Sequence, residues 1–277
     1  MRIRTNIVSI NSRAKLENNI REYDKESRKL ATGDRINKAA YDPAGLIISE
    51  GMRSRIRSYG QAKRNATDSI SLIQIAEGSL SSVQGMAARM KELALQSATD
   101  TTGIEERAMI DKEFQQIKKE IRRIIEGTQF NGKKILDRNA GIYEFQIGIN
   151  SNGVGERVRY DMGKVISSSK RVSLGSASVG QKSGALGVLP KINSMLEEVS
   201  GARAFLGATQ SRVESTVQNL LVSHENTSSA NSRIRDTDVA ESASKKIVAN
   251  VKTNVASNVV AQANKLSESS KILLKSS

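Results

Sequence analysis

Apolar and small residues recur along this chain at alternating spacings of three and four. Ile3, Ile7, Ile10 and Ala14 form one run, and after a slip of register Leu16, Ile20, Tyr23, Ser27 and Leu30 form another. This pattern predicts a helix with one narrow apolar stripe. Thr32-Gly33-Asp34 should stop it, because glycine takes the left-handed cap without strain. A second helix is expected from Asp42-Pro43, where aspartate can cap free amides and proline suits the first helical position. It continues to about Thr99, marked by Ile70, Ile73, Leu80, Val83, Met86, Met90 and Leu93. At 1.5 Å per residue this is about 85 Å of helix. Five glycines weaken it, and a bend near Gly60 is expected.

Asp100-Thr-Thr-Gly103 reads as a turn, and Thr102 with Glu105 has the spacing of a capping box. Ile110, Phe114, Ile117, Ile121 and Ile124 then give the cleanest heptads, ending near Gly127. From about 130 the period changes to two. Tyr143, Phe145, Ile147 and Ile149 alternate with polar residues or glycine, Asn150–Gly153 makes a turn, and Val158, Tyr160 and Met162 alternate again. That is a hairpin. Serine- and glycine-rich loops with weak strands should follow to Ser183. Helical spacing resumes from Pro190 to about Ser232, through Ile192, Leu196, Val199, Leu206, Val213, Val217 and Leu220. A last stripe runs through Val248, Val251, Val255, Val259, Leu266 and Leu273, with Asp238 and Glu241 placed to cap its start.

The expected architecture is mainly α: a long antiparallel helical bundle or coiled coil with a small β-hairpin region. Its parts are an N-terminal helix (1–42), bundle helices plus hairpin (43–182), a C-terminal bundle helix (183–232) and a C-terminal helix (233–277). Ile70, Ile73, Leu80, Ile110, Phe114, Ile117, Ile121, Leu206, Val213, Val217 and Leu220 are its expected core. The end segments each carry one slim stripe. A two-helix pair of that kind buries little surface and is marginal alone. Such ends gain stability by packing into an assembly, so a self-associating structural protein is expected.

Composition removes most chemistry. The 277 residues include no cysteine, no tryptophan and one histidine. Disulfides, thiolate metal sites, cysteine nucleophiles and His-rich metal centres are therefore excluded. No apolar run reaches the length of a membrane span. Arg13, Lys15, Glu17 and Arg21 interrupt any signal-type stretch in 1–25, so export is expected by another route. Gly153-Val-Gly155 with Arg157 and Arg159 lacks the strand–turn–helix context of a phosphate loop. His224 has no second ligand nearby, and Asp236 and Asp238 are better read as helix caps. No nucleophile–base–acid set emerges, so neither an enzyme nor a cofactor is expected.

Several short segments resemble bacterial flagellin, the subunit of the flagellar filament. In the first half they are Leu30-Ala-Thr-Gly-Asp-Arg-Ile-Asn37, Asp42-Pro-Ala-Gly-Leu46, Asn65–Ser71, Ala76–Leu80, Lys91–Ala98 and Thr128-Gln-Phe-Asn-Gly132. In the second half they are Leu206–Val213, Ser232-Arg-Ile-Arg-Asp-Thr-Asp-Val239 and Val260-Ala-Gln-Ala-Asn264. The resemblance implies a short flagellin without outer variable domains. Its terminal helices would line the filament's inner channel, joined through Ile3, Ile7, Ile10, Leu16, Ile20, Leu30 and the Val248–Leu273 stripe. Implied partners are other copies in a helical homopolymer, the flagellar cap and hook-junction proteins, the type III export apparatus and a secretion chaperone. The implied location is an extracellular filament. Arg89, Leu93 and Glu113 match the family's surface for subunit contact and for a Toll-like innate receptor. A minor axial or hook–filament junction protein would share the terminal seams without forming long filaments alone.

The net charge of +14 first suggests an acidic partner. It is spread out, however: +4 for 1–42, +5 for 131–182 and +4 for 233–277. No basic tract is interleaved with aromatics for base stacking, so nucleic acid is not expected. The resemblance places the hairpin region on the outside of the bundle shell. A basic outer surface there would suit a sheath membrane or another acidic layer.

Overall fold

The computed structural model describes residues 6–136, 142–150, 156–160, 175 and 177–275, with side chains as far as Lys265. Two compact units divide the chain: one of Met1–Ile56 with Glu225–Ser277, the other of Arg57–His224. The helices are α1 (Ile7–Thr32), α2 (Pro43–Ala98), α3 (Ile104–Gly127), α4 (Lys182–Arg235) and α5 (Val239–Lys275). Four short strands are β1 (Gln129–Phe130), β2 (Lys133–Lys134), β3 (Tyr143–Gln146) and β4 (Arg157–Tyr160).

Local signals account for most helix ends. Gly33 closes α1 at φ +72°, its amide donating to the Lys29 carbonyl at 2.8 Å. Asp42 Oδ1 accepts from the Gly45 amide at 2.8 Å to open α2. Asp238 Oδ1 accepts from the amides of Ala240 and Glu241 at 2.8 and 3.1 Å to open α5. The start of α3 lies one residue beyond the expected box. Glu106, not Glu105, reaches back to accept from the Gly103 amide at 3.0 Å, while Thr102 Oγ1 turns away to the Gln96 carbonyl at 2.9 Å. α2 runs as one helix through Gly60.

The largest difference from expectation is the start of α4, which begins at Lys182 and carries Pro190 inside. A proline there costs about 3 kcal/mol. Ala185, Val188, Ile192, Met195 and Val199 all lie in the core at helical spacing, and that burial outweighs the lost bond. Gly184 permits it, since a Cβ there would stand 2.7 Å from the Ser178 carbonyl oxygen.

In the unit Arg57–His224, α2, α3 and α4 share one core. Ile73, Leu80, Phe114, Ile121, Ile192 and Leu206 are buried in it, with Ile110 and Ile117 packed half-buried against its edge. A smaller cluster joins Ala66, Ile147, Val158 and Val213, with Ile70 and Val217 beside it; Leu220 is also buried. These contacts seat the hairpin on α2 and α4. β3 and β4 pair antiparallel with Phe145 opposite Val158 and Tyr143 opposite Tyr160, whose rings meet edge-on at 6.0 Å. Asn65 Nδ2 donates to the Gln146 carbonyl at 2.9 Å and ties the hairpin to α2. Ile147 and Ile149 lie just outside the strand, and Met162 lies outside the described residues. A second ribbon, β1 with β2, turns at Asn131-Gly132, both at positive φ. Asn-Gly favours that turn, and the alternation signal was too short to reveal it.

In the other unit α1 and α5 pair antiparallel. Asn6 Nδ2 donates to the Ala263 carbonyl at 2.9 Å, and Lys246 Nζ lies 5.4 Å from the centre of the Tyr23 ring.

Candidate functional site

The α1/α5 pair meets along a heptad seam of small and polar residues. On α1 the heptad positions Ser9, Ser12, Leu16, Asn19, Tyr23, Glu26 and Leu30 are buried or half-buried, and on α5 so are Ser242, Lys246, Ala249, Thr253, Ala256, Val260 and Ala263. Both follow spacings of three and four without a slip. Ser9 Oγ donates to Asn264 Oδ1 at 2.9 Å, and Lys29 Nζ pairs with Glu26 Oε1 at 2.8 Å.

The aliphatic stripe lies elsewhere. Ile7, Ile10, Ile20, Val248, Val251, Val255 and Val259 are all exposed, and Val251 keeps 57% of its surface. Val8, Ile247 and Val239 are exposed as well. The reason is angular. Val251 lies two residues from Ala249 and from Thr253, and Val255 two from Thr253; at 100° per residue that offset turns them away from the seam. Small seam residues let the two backbones approach and leave the larger side chains outward. Leu16 and Leu30, grouped in the sequence with the stripe, belong to the seam. Ile3 and the side chains of Leu266 and Leu273 lie outside the described residues.

Arg89 and Glu113 form an exposed ion pair between α2 and α3 at 3.0 Å, and Glu92 also accepts from Arg89 at 3.0 Å. These two carboxylates hold the guanidinium above its ordinary pKa through hydrogen bonding, from Glu92 first and then Glu113. Leu93 corrects the expectation. It is 1% exposed in the shared core, so it supports the helix beneath Arg89 and offers no surface.

The other sequence candidates take structural roles. Arg157 and Arg159 both pair with Glu144, at 3.3 and 2.7 Å, while residues 153–155 lie outside the described set. His224 lines a groove with Tyr59, Lys63, Arg64, Asp68 and Leu221. Asp236 accepts from Ser232 Oγ at 2.5 Å. Among the described residues no group of three or more ligating side chains gathers, and no helix is long and apolar enough to cross a membrane.

Sequence reasoning also missed a set of charged residues within the segments 30–37 and 232–239. Asp34 pairs with Asp236 in an isolated antiparallel bridge, and Arg235 contacts both Asp34 and Glu50. Their signal was the density of charge around two aspartate-bearing turns, one of them with Gly33, which periodicity does not read.

A helix pair that meets along a seam of mostly small and polar residues and turns aliphatic side chains outward has the surface of a structural protein built for association. Comparison with known proteins agrees. A family model described as the bacterial flagellin N-terminal helical region matches residues 3–140, and one described as the C-terminal helical region matches 189–272. Flagellin of Halalkalibacterium halodurans is 39% identical over 95% of this chain and 96% of its own length. Flagellin of Bacillus subtilis is 35% identical over 95% and 96%. Flagellar filament core protein flaB2 of Brachyspira hyodysenteriae is 34% identical over 97% and 98%. The crystal structure of Bacillus cereus flagellin is 25% identical, with a TM-score of 0.51, covering 57% of this chain and 88% of that one. The chain belongs to the bacterial flagellin family, and it is a structural subunit of the flagellar filament.

Proposed function

We propose that copies of this chain polymerise through the exposed aliphatic stripes of α1 and α5, the terminal pair forming the inner layer of an extracellular filament used for motility. The observation that carries the reading is the outward position of Ile7, Ile10, Ile20, Val248, Val251, Val255 and Val259 on a pair whose own seam leaves them uncovered. Aliphatic side chains exposed together on one helix face are unfavourable in water and become covered in an assembly. In this reading the chain travels through the flagellar type III apparatus with a secretion chaperone. It then adds between the hook-junction proteins and the cap. Arg89 and Glu113 contribute to contacts between copies and are covered from any innate receptor once the filament is built.

Exposed cations on the two β ribbons support the reading of an acidic outer layer. Lys133, Arg157 and Arg159 are exposed, and Glu144 serves as counter-charge to both arginines. A basic surface of this kind suits a sheath membrane, and relatives in Brachyspira and Treponema are named filament core proteins. Electron microscopy of the purified chain under polymerising conditions tests the central claim. Long filaments are expected from the full chain and none from a chain lacking 255–277. Unchanged growth after that truncation refutes the role of the stripe. Short, self-limited oligomers from the full chain would identify a junction protein.

A further inference from the structure

The turns flanking α1 and α4 cross at a charged junction inside the unit of Met1–Ile56 and Glu225–Ser277. The Arg35 amide donates to the Arg235 carbonyl at 2.6 Å, and the Thr237 amide donates to the Gly33 carbonyl at 2.9 Å. The two side chains then reach in opposite directions. Arg35 donates from Nε and one terminal nitrogen to the Ile234 carbonyl, at 3.1 and 2.7 Å, capping the C-terminus of α4. Arg235 reaches Asp34 Oδ1 at 3.1 Å and Glu50 Oε1 at 2.6 Å, with 16% of its side chain exposed. Glu50 has a second cation, Arg53 at 2.9 Å, whereas among the described residues Asp34 forms its ion pair with Arg235.

We propose that Arg235 is the positioning residue for the terminal helix pair, its guanidinium clamping the exit of α1 to the first turns of α2 where α4 gives way to α5. The proposal rests on the assembly reading above and names what sets the register of the stripes within a subunit. The α5 side of the seam is mostly serine, alanine and threonine, which give Leu16, Tyr23 and Leu30 of α1 few holes of distinct shape, so it specifies the sliding of α1 along α5 weakly. Two ends must therefore be pinned. Asn6 and Ser9 bond to Ala263 and Asn264 at one end. At the other end the crossing turns do so, and Arg235 is the side chain that joins three of the chain's segments there.

Packing beneath the clamp supports this role. Ile36 is buried beside Gly45, where a Cβ would stand 2.8 Å from the Ile36 Cδ1 and collide with the Asp42 carboxylate. The turn is thus seated on α2 by shape, while the planar guanidinium supplies direction, because it can serve two carboxylates in fixed geometry.

The test uses the purified full chain, with polymerisation read as critical concentration by sedimentation and helix order read by hydrogen exchange in the filament. Arg235→Gln should raise the critical concentration about tenfold or more, the scale of a lost charge-assisted pair. Arg235→Lys should recover part of that, since one ammonium cannot span both carboxylates. In a cycle with Asp34→Asn the two losses should be less than additive. Protection should fall in 7–56 and 239–265, while the melting of the Arg57–His224 core stays unchanged. Polymerisation of Arg235→Gln at the wild-type concentration overturns the proposal. So do strictly additive losses, or a fall in core melting that accounts for the defect. A wild-type chain that never polymerises instead refutes the assembly reading, and the positioning role with it.

Discussion

Replacing Val251 and Val255 together by alanine isolates the stripe from the rest of the molecule. In the single chain each keeps a little over half of its surface exposed, 57% and 56%. Full burial of a valine contributes about 1.5–3 kcal/mol, so covering the exposed half contributes about 0.8–1.5 kcal/mol at each site. Alanine keeps one of the three side-chain carbons, so the pair of substitutions should cost assembly roughly 1–2 kcal/mol. With about 1.4 kcal/mol per factor of ten, the critical concentration should rise about 5- to 30-fold. Within the subunit little should change. Both side chains face away from the seam at Ala249 and Thr253, and alanine is the better helix former. Sedimentation across a concentration series gives the first quantity, and circular dichroism of the unassembled chain gives the second. An unchanged critical concentration refutes burial of this face. A rise accompanied by loss of α5 helicity refutes the claim that the stripe acts between copies.

Other outcomes follow from the bundle and the turns. Phe114→Ala should destabilise the Arg57–His224 core by about 3–5 kcal/mol in denaturant unfolding, because the ring is fully buried. Tyr160→Phe should leave that core unchanged or more stable by about 1 kcal/mol, since among the described residues the buried hydroxyl has no hydrogen-bond partner; a clear loss would reveal a partner. Gly45→Ala should cost about 1–3 kcal/mol by forcing apart Ile36 and Asp42, read as lost helix protection around 36–50. Lys182 lies 2.6 Å from Asp100 and, chiefly through hydrogen bonding, holds its carboxyl below the ordinary 3.8. Such a depressed carboxylate stabilises the fold above its unfolded pKa and loses the effect as pH falls through the folded one. The stability difference between wild type and Lys182→Met should therefore be constant from about pH 5 to 7 and shrink below about pH 4; a difference that persists at lower pH would refute the pairing.

Element type was legible because helical periodicity over many turns is a strong signal. Ile110, Phe114, Ile117 and Ile121 named the core-facing side of α3, and Tyr143 with Phe145 named a strand. Boundaries followed when a cap residue stood alone, as at Gly33, Asp42 and Asp238. They shifted where competing partners existed. Glu105 and Glu106 are both within reach of the α3 start, and only the geometry of Gly103 chose between them. The start of α4 was hidden because Pro190 argues locally against a helix, whereas the burial of Ala185 and Val188 is a tertiary effect that no local rule contains.

The family was also legible, since short segments in fixed order carried it. Their individual tasks were not. Arg235 and Asp34 sit in separate signature segments, one in each half of the chain, and only the crossing of two turns brings them to 3.1 Å.

The terminal stripes separate the two kinds of information most clearly. Sequence by itself determined that both ends are helices, that each has one aliphatic face, and that neither can sustain a core alone. The tertiary structure decided which face each helix turns to the other. Hydrophobicity would have paired the valines, but close approach of two backbones favoured the small residues. Ser9, Ala249, Thr253 and Ala263 took the seam and left Val251 and Val255 facing solvent. Periodicity records that a face is apolar; which partner covers it depends on the shape of both surfaces, and one strand of sequence does not hold both.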